Sequence, residues 1–178
     1  FRRKYINEVK ITWFAAPGPR PGAAGRSVHA LGAQTRPAHA AQNLTVTDCT
    51  SDVQLQADIN TANSDNAGDS ITFSCSGDIK LASTLQIKAS MALDGSGQSV
   101  TLDGQNGVEV LKVNSGVSLT INALTIAHGR TLGDGGGLLN DGTVSITNST
   151  FASNSSANPG AGLMNENGGT VRITNSTF

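Results

Sequence analysis

Charge and aromatic rings are both scarce in this chain. Charged residues make up 14% of its 178 positions and aromatic residues 4%. A globular domain carries about 25% charge, and its core leans on Phe, Tyr and Trp for buried area. A core here has to come from many small aliphatic contacts. Long apolar runs are missing too. None approaches the roughly 18 residues of a membrane-spanning helix, so no transmembrane segment is expected. The net charge of −1 lacks the basic surplus that meets a phosphate backbone, which argues against nucleic acid as the main partner. Cysteine is limited to Cys49 and Cys75. Two thiols are too few for a structural zinc site unless histidine joins them, and His29, His39 and His128 lie elsewhere. The length suits one modest domain.

Proline is also nearly absent beyond residue 42, and this marks a division. Four of the five prolines (Pro17, Pro19, Pro21, Pro37) fall in residues 1–42, with Pro159 alone in the remainder. Residues 1–42 hold seven Lys and Arg against one acid, Glu8, for a net of +6; residues 43–178 hold five against twelve, for −7. Asn, Ser and Thr supply 47 of the 136 residues after the division. The first stretch shows no sustained period, and its Pro and Gly residues break any element. Ala38-His39-Ala40 resembles a signal-peptidase site, yet the apolar run that should precede it is reduced to Trp13-Phe14-Ala15-Ala16, too short and too far upstream. Residues 1–42 are therefore expected to be a disordered or wrongly translated leader, with a degraded secretion signal as the alternative. The chain begins with Phe and stops inside a repeat, so it is expected to be a fragment lacking its C-terminal part.

What is abundant from residue 43 onward is repetition. Ile146-Thr147-Asn148-Ser149-Thr150-Phe151 recurs unchanged as Ile173-Thr174-Asn175-Ser176-Thr177-Phe178. Gly135-Gly136-Gly137-Leu138-Leu139-Asn140 recurs as Gly160-Ala161-Gly162-Leu163-Met164-Asn165. Leu119, Ile121 and Ile126 form an earlier, weaker copy of Val144, Ile146 and Phe151. Within each copy apolar residues alternate over three to five positions between Gly, Asn, Asp and Ser turns: Leu85/Ile87, Met91/Leu93, Val100/Leu102, Val108/Val110, Leu119/Ile121, Val144/Ile146, Val171/Ile173. That pattern reads as short half-buried strands. Three per roughly 25 residues, with no helix between, predicts an all-β fold: a right-handed parallel β-helix over residues 43–178. Each coil buries its apolar side chains only by stacking on its neighbours. Ile146, Asn148 and Phe151 should then lie over Ile173, Asn175 and Phe178. The two asparagines either form a hydrogen-bonded ladder or merely suit the turn geometry. N-x-S/T sequons begin at Asn43, Asn148, Asn154 and Asn175, as chance predicts in such a composition.

An open solenoid end exposes strand edges and core, so it needs a cap. Residues 51–63 offer a helix, with Ser51 or Asp52 as its cap and Leu55, Ile59 and Ala62 on one apolar stripe. Leu44-Thr45-Val46 and Ile71-Thr72-Phe73 flank it as strands. Cys49 and Cys75 bracket this helix. A disulfide between them would staple the cap; the alternative is two buried free thiols.

Asp69 to Gly77, Leu93-Asp94-Gly95-Ser96-Gly97, the Gly-Gly-Gly-Leu units and Phe151-Ala152-Ser153-Asn154 together resemble bacterial right-handed β-helix surface proteins. More narrowly, residues 135–178 resemble the repeats of polymorphic outer-membrane protein adhesins, with a GGA-plus-aliphatic motif and an F-x-x-N motif per coil. Gly135 to Leu138 and Gly160 to Leu163 depart from the first motif at its small positions. The resemblance implies a pectin-lyase-like fold, export and display at a bacterial cell surface, on the outer membrane in the narrower family, with a role in adhesion and with glycans or host cell-surface molecules as partners.

The same fold hosts polysaccharide lyases and glycoside hydrolases, so enzyme chemistry has to be weighed. Glycoside hydrolysis needs two carboxylates facing one bond, and Asp94, Asp103, Asp134, Asp141 and Glu166 are the candidates. The four aspartates each precede glycine, which turn geometry favours without catalysis. His128, Arg130 and Asp134 form the only mixed cluster, either a surface site or an exposed turn. No phosphate-binding loop, H-E-x-x-H, G-x-S-x-G or nonapeptide calcium repeat occurs. No catalytic residue, metal ligand or cofactor site is therefore assigned. The expected function is adhesion or structural spacing at the cell surface, with a carbohydrate-active enzyme of the same fold, its active coils in the missing C-terminal part, as the alternative.

Overall fold

A computed structural model describes residues 40–178. The expected leader and its Ala38-His39-Ala40 motif fall outside the described residues, save for positions 40–42. From Asn43 the chain winds as a parallel β-solenoid of about 5 turns. Strand β1 (Asn43–Val46) and helix α1 (Val53–Ala62) precede the first full coil. That coil holds β2 (Asp69–Phe73), β3 (Gly77–Lys80) and β4 (Leu85–Ile87). The second holds β5 (Met91–Asp94), β6 (Val100–Asp103) and β7 (Leu111–Val113). The third has β8 (Ser118–Asn122), β9 (Thr125–Ala127), the short β10 (Arg130–Thr131) and β11 (Leu138–Asn140). The fourth repeats this with β12 (Thr143–Thr147), β13 (Thr150–Ala152), β14 (Ser155–Ser156) and β15 (Leu163–Asn165), and β16 (Thr170–Thr174) opens the fifth.

Successive coils add one strand to each of three parallel sheets. The first face reads β1-β2-β5-β8-β12-β16, the second β3-β6-β9-β13 and the third β4-β7-β11-β15. β10 and β14 form a small pair between the second and third faces. Alternation sends every second side chain inward, and stacking turns the inward residues into ladders. Ile71, Leu93, Ile121, Ile146 and Ile173 lie in register on the first face. Ile79, Leu102, Ile126 and Phe151 do so on the second, and Leu85, Leu111, Leu138 and Leu163 on the third. The core is the space between these ladders. Among the described residues it contains no Trp or Tyr, and its aromatic rings there are Phe73 and Phe151. Phe151 stacks on Phe178 with ring centroids 4.5 Å apart.

The corners account for the polar composition. Asn148 and Asn175 both have positive φ, 51° and 48°. They also hydrogen-bond along the axis: Asn175 Nδ2 donates to Asn148 Oδ1 at 2.7 Å, and Asn148 Nδ2 to Asn122 Oδ1 at 3.0 Å. Asn122 Nδ2 extends the ladder to Asp94 Oδ1 at 2.9 Å. Turn tolerance and ladder bonding thus operate at the same residues. A second ladder starts in the interior and ends at the exposed Asn165. Asn140, fully enclosed, donates to Asn165 Oδ1 at 2.6 Å and accepts from Gly142 N–H at 3.0 Å. The F-x-x-N unit works likewise, with Asn154 accepting from Gly129 N–H and donating to the Ile126 carbonyl of the preceding coil. Asn148, Asn154 and Asn175 of the sequons thus commit their side-chain nitrogens to the fold. The triple glycine has a steric reason. A Cβ on Gly136 would sit 2.2 Å from the Ser155 carbonyl oxygen, and one on Gly137 2.4 Å from that of Gly162.

Helix α1 closes the N-terminal end with Leu55, Ile59 and Ala62 buried in the core. Asp52 is its N-cap residue, but its carboxylate does not cap the helix as the sequence suggested. Oδ2 instead accepts from Ala82 N–H at 2.9 Å, tying the helix start to the first coil. Cys49 and Cys75 are joined in a disulfide, with Cα atoms 5.7 Å apart. Val108 and Val110, read as strand alternation, precede the strand instead: β7 begins at Leu111. No helix among the described residues is long and apolar enough to cross a membrane.

Candidate functional site

The connection from the second face to the third is the least regular part of each coil. In the second coil it bends through Asn106 and Gly107 before Val110 enters the core, and in the third it carries β10 and then the glycine run. These bends leave a groove along the axis. Thr84, Asn106, Glu109, Arg130, Thr131 and Leu132 line a hollow of about 510 Å³. It adjoins a second of about 360 Å³, reached past Arg130 and walled by Ser155 and Ser156 of the fourth coil. Together they cross the first four coils. Hydroxyl, amide and guanidinium groups share the lining with apolar surface from Val108, Leu132 and Ala157, and Leu132 stands out at 85% exposure.

Glu109 is the unusual member. Its Oε1 is shielded from solvent and has no hydrogen-bond partner. Burial is the main cause that pushes its carboxyl up to about 7; Lys112 pulls the other way, and Asp141 adds to the rise. A carboxylic acid near neutrality in a groove is the environment in which proteins place recognition and proton-transfer groups. Sequence reading passed over it because an acid between Val108 and Val110 resembles an outward strand position. The available signal was its place inside the apolar run Val108–Val113, whose only other polar member is Lys112.

No hydrogen bond or ion pair joins His128, Arg130 and Asp134, the cluster read from the sequence, among the described residues. Arg130 lines both hollows and makes no ion pair among the described residues. His128 turns instead to Asp103, with Nδ1 3.1 Å from Oδ1. Asp134 sits in the bend before Gly135 and bonds to neither. The remaining carboxylates lie at different corners. Asp94 and Asp103 close their own turns by accepting from Ser96 N–H and Gln105 N–H. Hydrogen bonding, first from the Ser96 side chain, holds the Asp94 carboxyl below its ordinary value. Asp141 and Glu166 occupy the turns after β11 and β15, where Asp141 accepts from Asn167 Nδ2. Among the described residues, Glu109 is the only carboxylate that lines the groove.

No family model, no curated protein and no solved structure matches the chain. The parallel β-solenoid therefore stands on its own geometry, and the groove on its own chemistry.

Proposed function

We propose that this solenoid works outside the cell as a stiff rod that binds glycans along its side groove, in adhesion or as a spacer that displays such a site. The observation that carries this reading is the groove across the first four coils, which sets polar side chains among apolar surface. Its Thr, Ser, Asn and Arg side chains suit the hydroxyl-rich edge of an extended sugar chain. The Cys49–Cys75 disulfide supports an oxidising compartment. Display on a bacterial surface, including the outer membrane, follows only from the resemblance of the repeat units to surface adhesins. A glycan array probed with the full chain tests the reading. Retention on a defined set of oligosaccharides, lost in Arg130→Ala together with Asn106→Ala, is the expected result. An array as blank as that of an unrelated solenoid would contradict it.

A carbohydrate-active enzyme is the second reading, favoured by one observation: Glu109 has the raised proton affinity of a general acid. Hydrolysis also needs a second carboxylate roughly 5–9.5 Å away, and no other lines the groove among the described residues. Binding is therefore the better-supported function. Release of reducing sugar from a polysaccharide panel, abolished by Glu109→Gln, would reverse that preference.

A further inference from the structure

Three carboxylates among the described residues have a shielded oxygen without a partner: Asp58, Asp69 and Glu109. Asp58 lies on α1. Asp69 uses its other oxygen to accept from Gln42 N–H. Glu109 alone borders a cavity large enough for a ligand, and neither of its oxygens has a hydrogen-bond partner. The charged groups around it pull in different directions. Lys112 on β7 favours the carboxylate and Asp141, after β11, disfavours it. Arg130 on β10 shares the cavity but does not pair with it. Burial outweighs the lysine.

An oligosaccharide lying in the groove would remove the water that still reaches Glu109. Desolvation penalises the charged form of a carboxyl, so occupancy draws a proton from solvent. The protonated group then gains an O–H donor, which a sugar hydroxyl or ring oxygen can accept. We infer that the groove binds a neutral oligosaccharide with Glu109 as an uncharged carboxylic acid donating to a sugar oxygen, so that binding and protonation are coupled. The inference rests on the glycan-binding reading above and adds the ligand's charge class and its regulation. A neutral chain fits because Thr84, Thr131, Ser155, Ser156 and Asn106 exchange hydrogen bonds with hydroxyls without adding charge beside Glu109 and Asp141.

Calorimetric titration of the full chain with cellohexaose, chitohexaose and mannohexaose tests this at about pH 6 and about pH 8.5, in two buffers of different ionisation heat. At least one hexasaccharide should bind roughly tenfold or more tightly at the lower pH, with proton uptake at the higher. Glu109→Gln, which fixes the uncharged shape, should bind equally at both. Equal wild-type affinity without proton uptake, or a Glu109→Gln protein that keeps the wild-type pH dependence, would overturn the coupling while leaving glycan binding intact. Failure of every hexasaccharide at both pH values would overturn the coupling and the glycan reading together. A carbon NMR titration of the Glu109 carboxyl needs no variant. A midpoint near 7 agrees with the inference, and one below about 5 contradicts it.

Discussion

Gly136 and Gly97 are both glycines in turns, yet they are there for different reasons. A Cβ on Gly136 would collide with the Ser155 carbonyl of the next coil, whereas nothing lies within 4 Å of the same atom on Gly97, whose φ is +80°. Gly136→Ala should therefore lose about 2–3 kcal/mol through forced separation of coils, and Gly97→Ala about 1 kcal/mol of left-handed backbone strain. Urea unfolding of both variants checks the order, and equal losses would contradict it. Asn140 is a third case. Its removal leaves the Gly142 amide and carbonyl without the side-chain bonds they now make, so Asn140→Ala should cost about 2 kcal/mol. Glu109 adds a pH dependence. Its carboxyl keeps its proton up to about 7 in the folded chain but releases it near 4.5 when unfolded. Between those values the folded state holds more protons, so this group's contribution to stability falls as pH rises through the window and levels off above it. Glu109→Gln should remove that component from a melting-temperature profile. Of these residues the corner asparagines were legible in the sequence, and the glycine run was legible as a repeated unit suited to turns; only Gly135 of it has positive φ, and the steric reason for Gly136 and Gly137 lies in the next coil. Glu109 was not, because an acid between Val108 and Val110 resembles an outward strand position, and only its place inside the apolar run Val108–Val113 hinted otherwise.

At the level of elements, α1 and the disulfide act as one unit. The helix covers the end of the core, and the bridge fixes β1's exit to β2's exit. Closing a loop with a sequence separation of 26 removes unfolded-state entropy worth roughly 3 kcal/mol. A Cys49→Ser/Cys75→Ser protein should lose about that much in urea unfolding, and a loss below about 1 kcal/mol would mean the bridge does not stabilise the cap. Both parts were readable beforehand, the helix from the spacing of Leu55, Ile59 and Ala62 and the bridge from the paired cysteines that flank it. The strands were readable wherever inward and outward residues alternate cleanly, as in Val144/Ile146. The reading failed at Val108/Val110, where an alternation that resembles a strand is a bend leading into the core. It failed also at Asp52, whose capping chemistry is spent on Ala82 of the next coil, a contact no local window contains.

For the whole molecule, the repeat stood out only in its last coils. Ile71, Leu93, Ile121, Ile146 and Ile173 stack in register, but their separations along the chain are uneven: 22, 28, 25 and 27 residues. Strand register is set by the inward ladder, and the corners absorb the differences, so a search for a fixed period loses the earlier coils. The groove belongs to this scale as well. Thr84, Glu109, Arg130 and Ser155 come from four coils, and only stacking brings them to one side. If the coils did not stack, neither the groove nor the proposed sugar site would exist. Methyl–methyl nuclear Overhauser contacts among the isoleucines test this most directly. The fold predicts strong cross-peaks linking Ile121 to Ile146 and Ile146 to Ile173, at the strand spacing of about 4.8 Å. Their absence in a folded sample, with those methyls meeting other partners, would contradict it.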